Sequence, residues 1–417
     1  MARILILTPQ LPYPPQQGTS LRNFYIIRGL AERHEITLLS FLEEKQSVEP
    51  ETIAPLISLC QRIETVPVPP RNTAVRLRQL LLTRRPDMAH RLYSAAFNRK
   101  LHQLLAENQF DIVQIEGIEL ARAIEIVHAV SPHSKIVFDD HNAETELQRR
   151  NLLTDLRHPR RWVAAAYSAV QVARLRRFER WACAAADAVT CVSAADREQL
   201  AALLNRQSPV TVIPNCIDVD GYQALADLQD WTNLSRYDLV FMGKMDYRPN
   251  VDAVLWFADE VWPGIKAKRL AHSGLSTTWA IVGQKPHARL ERLRGLDGVT
   301  VTGWVESVQP YLAGTAVFLM PFRVGSGTRL KLIEAMAAGK AIVSTPIGAE
   351  GFPVQHGREI LLGETAAELE TAVLHLLDHA QERTRLGAAA RQFAQQYDWR
   401  VVVPQFDEVY RRILGSG

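Results

Sequence analysis

Residues 321–351 read PFRVGSGTRLKLIEAMAAGKAIVSTPIGAEG. The preceding AVFLMPF, from Ala316, has the length and apolar content of a buried strand. Gly325, Ser326 and Gly327 follow as a turn in which glycine takes positive φ at no steric cost, so backbone amides can converge on an anion. A helix is predicted to open near Thr328. Its N-terminus carries roughly half a positive charge, which suits phosphate, and Arg329 and Lys331 add full charges beside it. Glu334 lies one to two turns further in, too far along to cap the helix and beside Ile333, Met336 and Ala337. It reads either as the solvated glutamate of an ordinary strand-turn-helix or as a carboxylate aimed at a ligand. Gly339 then ends the helix, and AIVSTP, from Ala341, gives another buried strand before a second glycine loop.

The same grammar extends in both directions. Short apolar runs alternate with longer amphipathic segments: RILILT, EITLLSF, IETVPVP, DIVQIEG, KIVFDDH, AVTCVS and VTVIPN in the first half, then YDLVFMG, TWAIVG, VTVTGW, AVFLMPF, AIVSTP and REILLG. Continuous apolar runs of this kind mark parallel strands buried on both faces. The predicted fold is α/β, two doubly wound Rossmann-like domains facing across a cleft, joined in the polar segment between Pro214 and Arg236. Domain 1 is placed at 1–215, domain 2 at 216–395, and a final segment at 396–417.

Composition narrows the class. The chain has 417 residues, 47% hydrophobic and 22% charged, with a net charge of +3, so it has apolar content for true cores and no overall basic excess pointing to nucleic acid. Cys60, Cys183, Cys191 and Cys216 form neither a CxxC pair nor zinc spacing, and the chain opens on a strand, so a reducing cytoplasm is the expected location. WVAAAYSAVQVA, after Arg161, is too short and too flanked by arginine to span a bilayer.

Ligands of such sheets bind outside the carboxyl ends of the strands. In domain 1 this places Gly18, Arg22 and Asn23 after the proline-rich first loop, Glu116 after DIVQI, and His141, Asn142 and Glu144 after KIVFDD. In domain 2 it places Gly243, Lys244 and Arg248 after the first strand, Gly303 and Trp304 after the third, and then the Gly325–Thr328 turn. Phosphate-binding groups cluster in domain 2, and hydroxyl-reading and proton-handling groups in domain 1.

These blocks, LPYPPQQGTSLRNF, ADAVTCVSAADREQL, VTVIPNCID, VFMGKMDYRPN, AIVGQKP, VTVTGWVESVQPYL and GSGTRLKLIEAMAAGKAIVSTPIGAEG, in this order resemble the GT-B glycosyltransferases of the large group 1, GT4-type retaining family. The variety resembles bacterial sugar transferases of exopolysaccharide systems. The resemblance implies transfer of a sugar from a nucleotide diphosphate sugar, UDP- or GDP-linked, to a glycan or lipid-linked acceptor, with no further cofactor and no metal. It also implies a last helix that crosses back to the first domain. Glu334 matches the second glutamate of the family's E-x7-E pattern and would hold the ribose hydroxyls, a contact of about 1.5 to 3 kcal/mol. Lys244 would neutralise the diphosphate, Gly18 would meet the donor phosphates and the acceptor, and His141 would lie near the reacting sugar. The implied catalytic set is His141, Lys244 and Glu334, with Gly18, Gly243, Arg248, Gly303, Trp304, Gly325, Ser326, Gly327, Thr328, Arg329 and Lys331 around the donor. Arg22, Asn23, Glu116 and Glu144 fall on the acceptor side, where Glu116 and Glu144 are positional candidates for a general base.

The chain departs from the family pattern at three points. Ser326 stands where the first glutamate of E-x7-E would read the donor sugar. Asn250 stands where a lysine is common, with Arg248 near enough to substitute. The PNG turn reads Pro214-Asn215-Cys216. Asp139-Asp140 is expected to serve at the strand end rather than bind metal.

Arg71, Arg76, Arg78, Arg84 and Arg85 crowd one leucine-bearing segment, and Arg149, Arg150, Arg157, Arg160, Arg161, Arg174, Arg176, Arg177 and Arg180 another. Such segments read either as solvated helical faces or as contacts with an anionic membrane at the inner face of the cytoplasmic membrane. Trp162, Trp181 and Trp399 are read as core residues. Two other readings share the architecture: a nucleotide-sugar 2-epimerase and a non-catalytic sugar-nucleotide binding protein. A nicotinamide oxidoreductase is disfavoured because no G-x-G-x-x-G follows ARILIL.

Overall fold

The apolar runs of the first half pair as seven parallel strands, β1 (Arg3–Thr8), β2 (Glu35–Leu42), β3 (Arg62–Pro67), β4 (Ile112–Glu116), β5 (Lys135–Asp140), β6 (Ala188–Cys191) and β7 (Val210–Val212). Their order is β3-β2-β1-β4-β5-β6-β7. The computed structural model describes residues 1–15, 18–44, 46–156, 162–205, 209–227, 235–325 and 327–415. Successive strand residues point to opposite faces, so Leu5 and Leu7 enter one buried cluster while Ile4 and Ile6 enter another. That double burial is why these strands are apolar throughout rather than alternating. Helices α1 (Gly18–Ala31), α2 (Thr73–Leu82), α3 (Glu144–Leu156) and α4 (Trp162–Ala185) belong to this unit.

The second half forms its own parallel sheet, β8 (Tyr237–Met242), β9 (Trp279–Val282), β10 (Val299–Gly303), β11 (Thr315–Met320), β12 (Ala341–Ser344) and β13 (Leu361–Leu362), in the order β10-β9-β8-β11-β12-β13. Helices α5 (Val219–Asp227), α6 (Arg248–Trp256) and α7 (Leu330–Ala337) accompany it. REILLG supplies only the two residues of β13, because a turn consumes its start: Gly357 N–H donates to Ile360 O at 2.8 Å, and Glu359 Oε2 accepts the Gln355 N–H. Pairing with Val343 begins at Leu361.

The chain divides into Met1–Cys216 with Trp399–Gly417, and Ile217–Asp398. The boundaries thus fall at Cys216/Ile217 and Asp398/Trp399, a few residues from those read in the sequence. The returning segment completes the first unit. Trp399, Val402, Val403, Phe406, Val409 and Tyr410, the last three on α8 (Pro404–Leu414), join the cluster built on Ile4, Ile6 and Leu38. Gly29 of α1 allows this approach, since a Cβ there would lie 2.8 Å from Val403 Cγ1. Trp399 is 5% exposed, whereas Trp162 is 62% exposed and is a surface residue, contrary to the sequence reading.

Candidate active site

In the second unit the strand order reverses between β8 and β11, so a crevice is expected outside their carboxyl ends. The groups gathered there come from the β8–α6 turn and from α7. Lys331, in the first turn of α7, donates through Nζ to Met242 O at 2.7 Å and to Asn250 Oδ1 at 3.0 Å. Asn250 in turn donates to Lys244 O at 2.8 Å. A Cβ on Gly243 would lie 2.6 Å from both Lys331 Nζ and Asn250 Nδ2, so any side chain there would displace this pair. Burial, reinforced by Arg329, pushes the Lys331 ammonium down to about 7. Its ring neighbours are Phe241 and Phe322, at 5.0 and 5.2 Å. Asn250 therefore holds a lysine rather than standing in for one, a pairing invisible in the linear sequence.

α7 opens at Leu330 rather than near Thr328, because Arg329 takes an extended N-cap conformation, φ −106° and ψ 102°. Its guanidinium donates to Ile347 O at 2.6 Å and stacks over Phe322 at 4.4 Å, tying the turn to the second glycine loop. Gly325 and Gly327 have φ of +111° and +82°, the positive values expected of the turn. Ser326 lies outside the described residues.

Glu334 points away from the apolar face of α7 toward α5, where Tyr222 Oη donates to Glu334 Oε1 at 2.5 Å. Burial raises this carboxyl above its ordinary range, an effect partly offset by Tyr222 and Lys331. The solvated reading of Glu334 is thereby excluded. Lys244 and Arg248 are exposed, and Trp304, 67% exposed, follows Gly303 at φ +76°.

In the first unit the reversal falls between β1 and β4. Gly18 is the exposed first residue of α1. One turn on, Arg22 is 1% exposed and its guanidinium grips Asp139 Oδ2 at 2.8 and 3.1 Å while donating to Pro214 O and Ile213 O. Arg22 was expected on the acceptor side; the structure makes it a buried counter-ion instead. Asn23, also expected there, is 1% exposed, and its amide finds no partner among the described residues.

His141, with 17% of its side chain exposed, meets Glu116 Oε2 through Nε2 at 2.8 Å and lies 3.6 Å from Asp139 Oδ2. Burial alone would lower its imidazole, but the hydrogen bond to Glu116 and the charge of Asp139 carry it above the ordinary value. Asp139 is held low despite burial by Arg22 and His141, and Thr190 donates to its other oxygen at 2.6 Å. Glu116 is fully buried and raised by burial and by Asp139. Both its oxygens are engaged, so it is sealed behind His141 rather than placed as a base for an incoming acceptor. Glu116, Asp139 and His141 bring metal-ligand atoms within 4.8 Å of one another. Arg22 supplies a neutralising charge on Asp139.

Glu144 opens α3 and is only partly buried. Burial, with Glu119 and Glu179 nearby, pushes it up to about 8. Glu179 accepts the Glu144 N–H at 2.7 Å and so caps α3. Asp140 faces this acidic group and is raised well above its ordinary range by burial and by Glu179.

Comparison with known proteins decides the family. The family described as Glycosyltransferase Family 4 matches residues 17–220, and that described as Glycosyl transferases group 1 matches residues 236–379. The chain belongs to the group 1, GT4-type glycosyltransferase family. A phosphatidyl-myo-inositol mannosyltransferase of Mycobacterium tuberculosis (strain ATCC 25618 / H37Rv) is 27% identical over 220 residues, 50% of this chain and 56% of that protein. The chain thus spans little more than half the length of this relative. Its counterpart from Mycolicibacterium smegmatis (strain ATCC 700084 / mc(2)155) is 24% identical over 85% of this chain and 81% of its own. The fold matches sucrose-phosphate synthase from Thermosynechococcus elongatus with a TM-score of 0.69 at 15% identity, covering both chains fully. It also matches Anabaena HepE in complex with UDP and glucose, TM-score 0.61 at 16% identity, over 99% and 100% of the two chains.

As a GT4-type chain it carries features that sequence reasoning missed: Tyr222 on Glu334, Asn250 on Lys331, Arg22 on Asp139, and Gln114 behind Glu116. The one available signal was an ionisable pair, Asp139-Asp140, ending an otherwise apolar strand.

Proposed function

We propose that this chain transfers a sugar from a nucleotide diphosphate sugar to an acceptor, with retention and without a metal. The observation that carries the reading is the second unit's juxtaposition of a buried cation, Lys331, with a tyrosine-held carboxylate, Glu334, at the strand ends where the order reverses. Lys331, Lys244, Arg248 and the amides of Gly325, Gly327 and Thr328 hold the diphosphate and neutralise the charge that grows as the glycosidic bond breaks. Glu334 takes the ribose hydroxyls and His141 attends the sugar. UDP- and GDP-sugars are the donors of choice, in keeping with the uridine nucleotide in the HepE complex.

The acceptor is a lipid-linked glycan presented at an anionic membrane. α2 supports this: it has no buried residue, and Leu77, Leu81 and Leu82 are 56%, 73% and 72% exposed beside Arg78 and Arg84. Arg71, Arg76 and Arg85 are instead paired with Asp87 and Glu125. Arg157, Arg160 and Arg161 lie outside the described residues. Among the described residues no helix is long and apolar enough to cross a membrane.

A thermal-shift screen of nucleoside diphosphates and their sugar conjugates tests the donor, because selective binding stabilises the native state by about 2.7 kcal/mol at a hundred times Kd. The expected result is selective stabilisation by one nucleotide family, followed by transfer to a lipid-diphosphate glycan with the anomeric configuration kept. Absence of stabilisation by every nucleotide overturns the reading.

A further inference from the structure

His141 stands at the end of a chain of buried hydrogen bonds that begins on the returning C-terminal helix. Tyr410 of α8, 296 positions away in sequence, donates its hydroxyl hydrogen to Gln114 Oε1. Gln114 Nε2 donates to Glu116 Oε1 at 2.5 Å, and Glu116 Oε2 lies within hydrogen-bond distance of His141 Nε2, at 2.8 Å. Gln114 and Glu116 lie two apart on β4, hence on one face of the strand, and both are 0% exposed.

With Glu116 ionised, the bonds run in one direction. A phenol has one hydrogen to give. With that hydrogen on Oε1, the Gln114 amide must present its NH2 to Glu116. Reversing the amide would set its oxygen against a carboxylate oxygen and leave a buried donor without use. Glu116 therefore receives hydrogen bonds on both oxygens, and His141 must carry its proton on Nε2.

Charge counting on the same premise gives the ring's state. Arg22 contributes one positive charge, and Asp139 and Glu116 contribute two negative ones, all nearly or fully buried. With Glu116 ionised the set is neutral when His141 is an imidazolium, and an unbalanced buried charge is costly. Further acidic groups add to the negative surroundings: Glu144 at the start of α3, which interacts with His141, and Glu119 next to Glu144. Nδ1 is then the ring atom left for a ligand, and Gly117 brings no side chain against it, since even a Cβ there would be 4.0 Å away.

We propose that Gln114 and Tyr410 are positioning residues which, through Glu116, hold His141 as a cation whose Nδ1–H is offered to the substrate as a hydrogen-bond donor, not as a base. The assignment rests on the reading of His141 as part of the transfer site. It gives the crossing-back helix a chemical task in addition to packing. A donor at Nδ1 suits a sugar hydroxyl or the oxygen charge of a departing phosphate, and it leaves proton acceptance from the incoming hydroxyl to another group.

The test is nitrogen NMR of the full chain labelled at histidine, with His141→Ala identifying the resonance. The expected wild-type result is a titration midpoint above the ordinary 6.5 with Nε2 protonated at every pH. Glu116→Gln is expected to lower that midpoint by about one unit or more. Tyr410→Phe, a milder change that keeps the packing, is expected to lower it in the same direction with the other histidines unmoved. A wild-type His141 that is neutral at pH 6, or a midpoint unmoved by Tyr410→Phe, overturns the proposal. Because the readout needs no substrate, a protein that shows these shifts but transfers no sugar would disprove the transfer reading alone.

Discussion

Lys331 Nζ donates to Asn250 Oδ1 at 3.0 Å, and the same lysine donates to Met242 O at 2.7 Å, so a half-buried ammonium at the start of α7 is held by a neutral amide and a carbonyl, with no direct carboxylate partner among the described residues. Such a cation is costly until an anion arrives. Burial has already pushed it from 10.5 down to about 7. Anion binding favours the charged form, so nucleoside diphosphate binding is expected to take up a proton between about pH 7 and 9 and to weaken as pH rises through that interval. Calorimetry in buffers of different ionisation enthalpy checks this. Lys331→Met should abolish the uptake and weaken binding about tenfold to a hundredfold.

Glu334→Ala is expected to reduce kcat/KM by about tenfold to a hundredfold, as fits a charged acceptor of two hydroxyls. Tyr222→Phe should cost less, about twofold to tenfold, since it frees Glu334 to reorient without removing it. Steady-state kinetics on folded variants separate the two. Unchanged kinetics in Glu334→Ala would remove it from the donor site.

Glu144 sets a pH dependence of stability. Its folded value of about 8 exceeds the ordinary 4.5, so between these pH values the folded state keeps a proton that the unfolded chain releases. Its contribution is full below about pH 4.5 and is lost as pH rises to about 8, with a slope of at most about 1.4 kcal/mol per pH unit. Glu144→Gln is expected to flatten the fall of Tm across that window, by thermal melts at several pH values.

The apolar side of α2 is exposed, so Leu81→Ser with Leu82→Ser should leave Tm within about 2 °C of wild type, as surface changes usually do. The same pair should abolish co-flotation with vesicles containing anionic lipid. Retained flotation would separate α2 from any membrane contact.

Period and punctuation carried the architecture. Each apolar run became a strand because parallel strands buried on both faces have no use for polar alternation. Gly325, Gly327 and Gly339 marked turns because their positive φ is accessible to glycine and little else. REILLG failed over most of its length because the turn made by Glu359 and Gly357 competes locally with pairing. At the site, residue types at strand ends were legible, but partners were not. Arg22 and Glu116 read as acceptor-side groups because a charged residue in the first turns of a helix or at a strand end looks the same whether it faces solvent or a buried counter-ion.

By itself, the sequence determined two parallel α/β sheets and the strand ends where ligands gather, and it named Glu334, Lys331 and His141 as candidates there, because sheets and strand ends depend on local period and glycine placement. Only the tertiary structure decided that Asn250 holds Lys331, that Tyr222 holds Glu334, and that Tyr410 reaches His141 through Gln114 and Glu116. Those pairings join residues 81, 112 and 296 positions apart. Nothing local selects such partners; the cost of burying an unpaired polar group selects them once packing has brought the elements together.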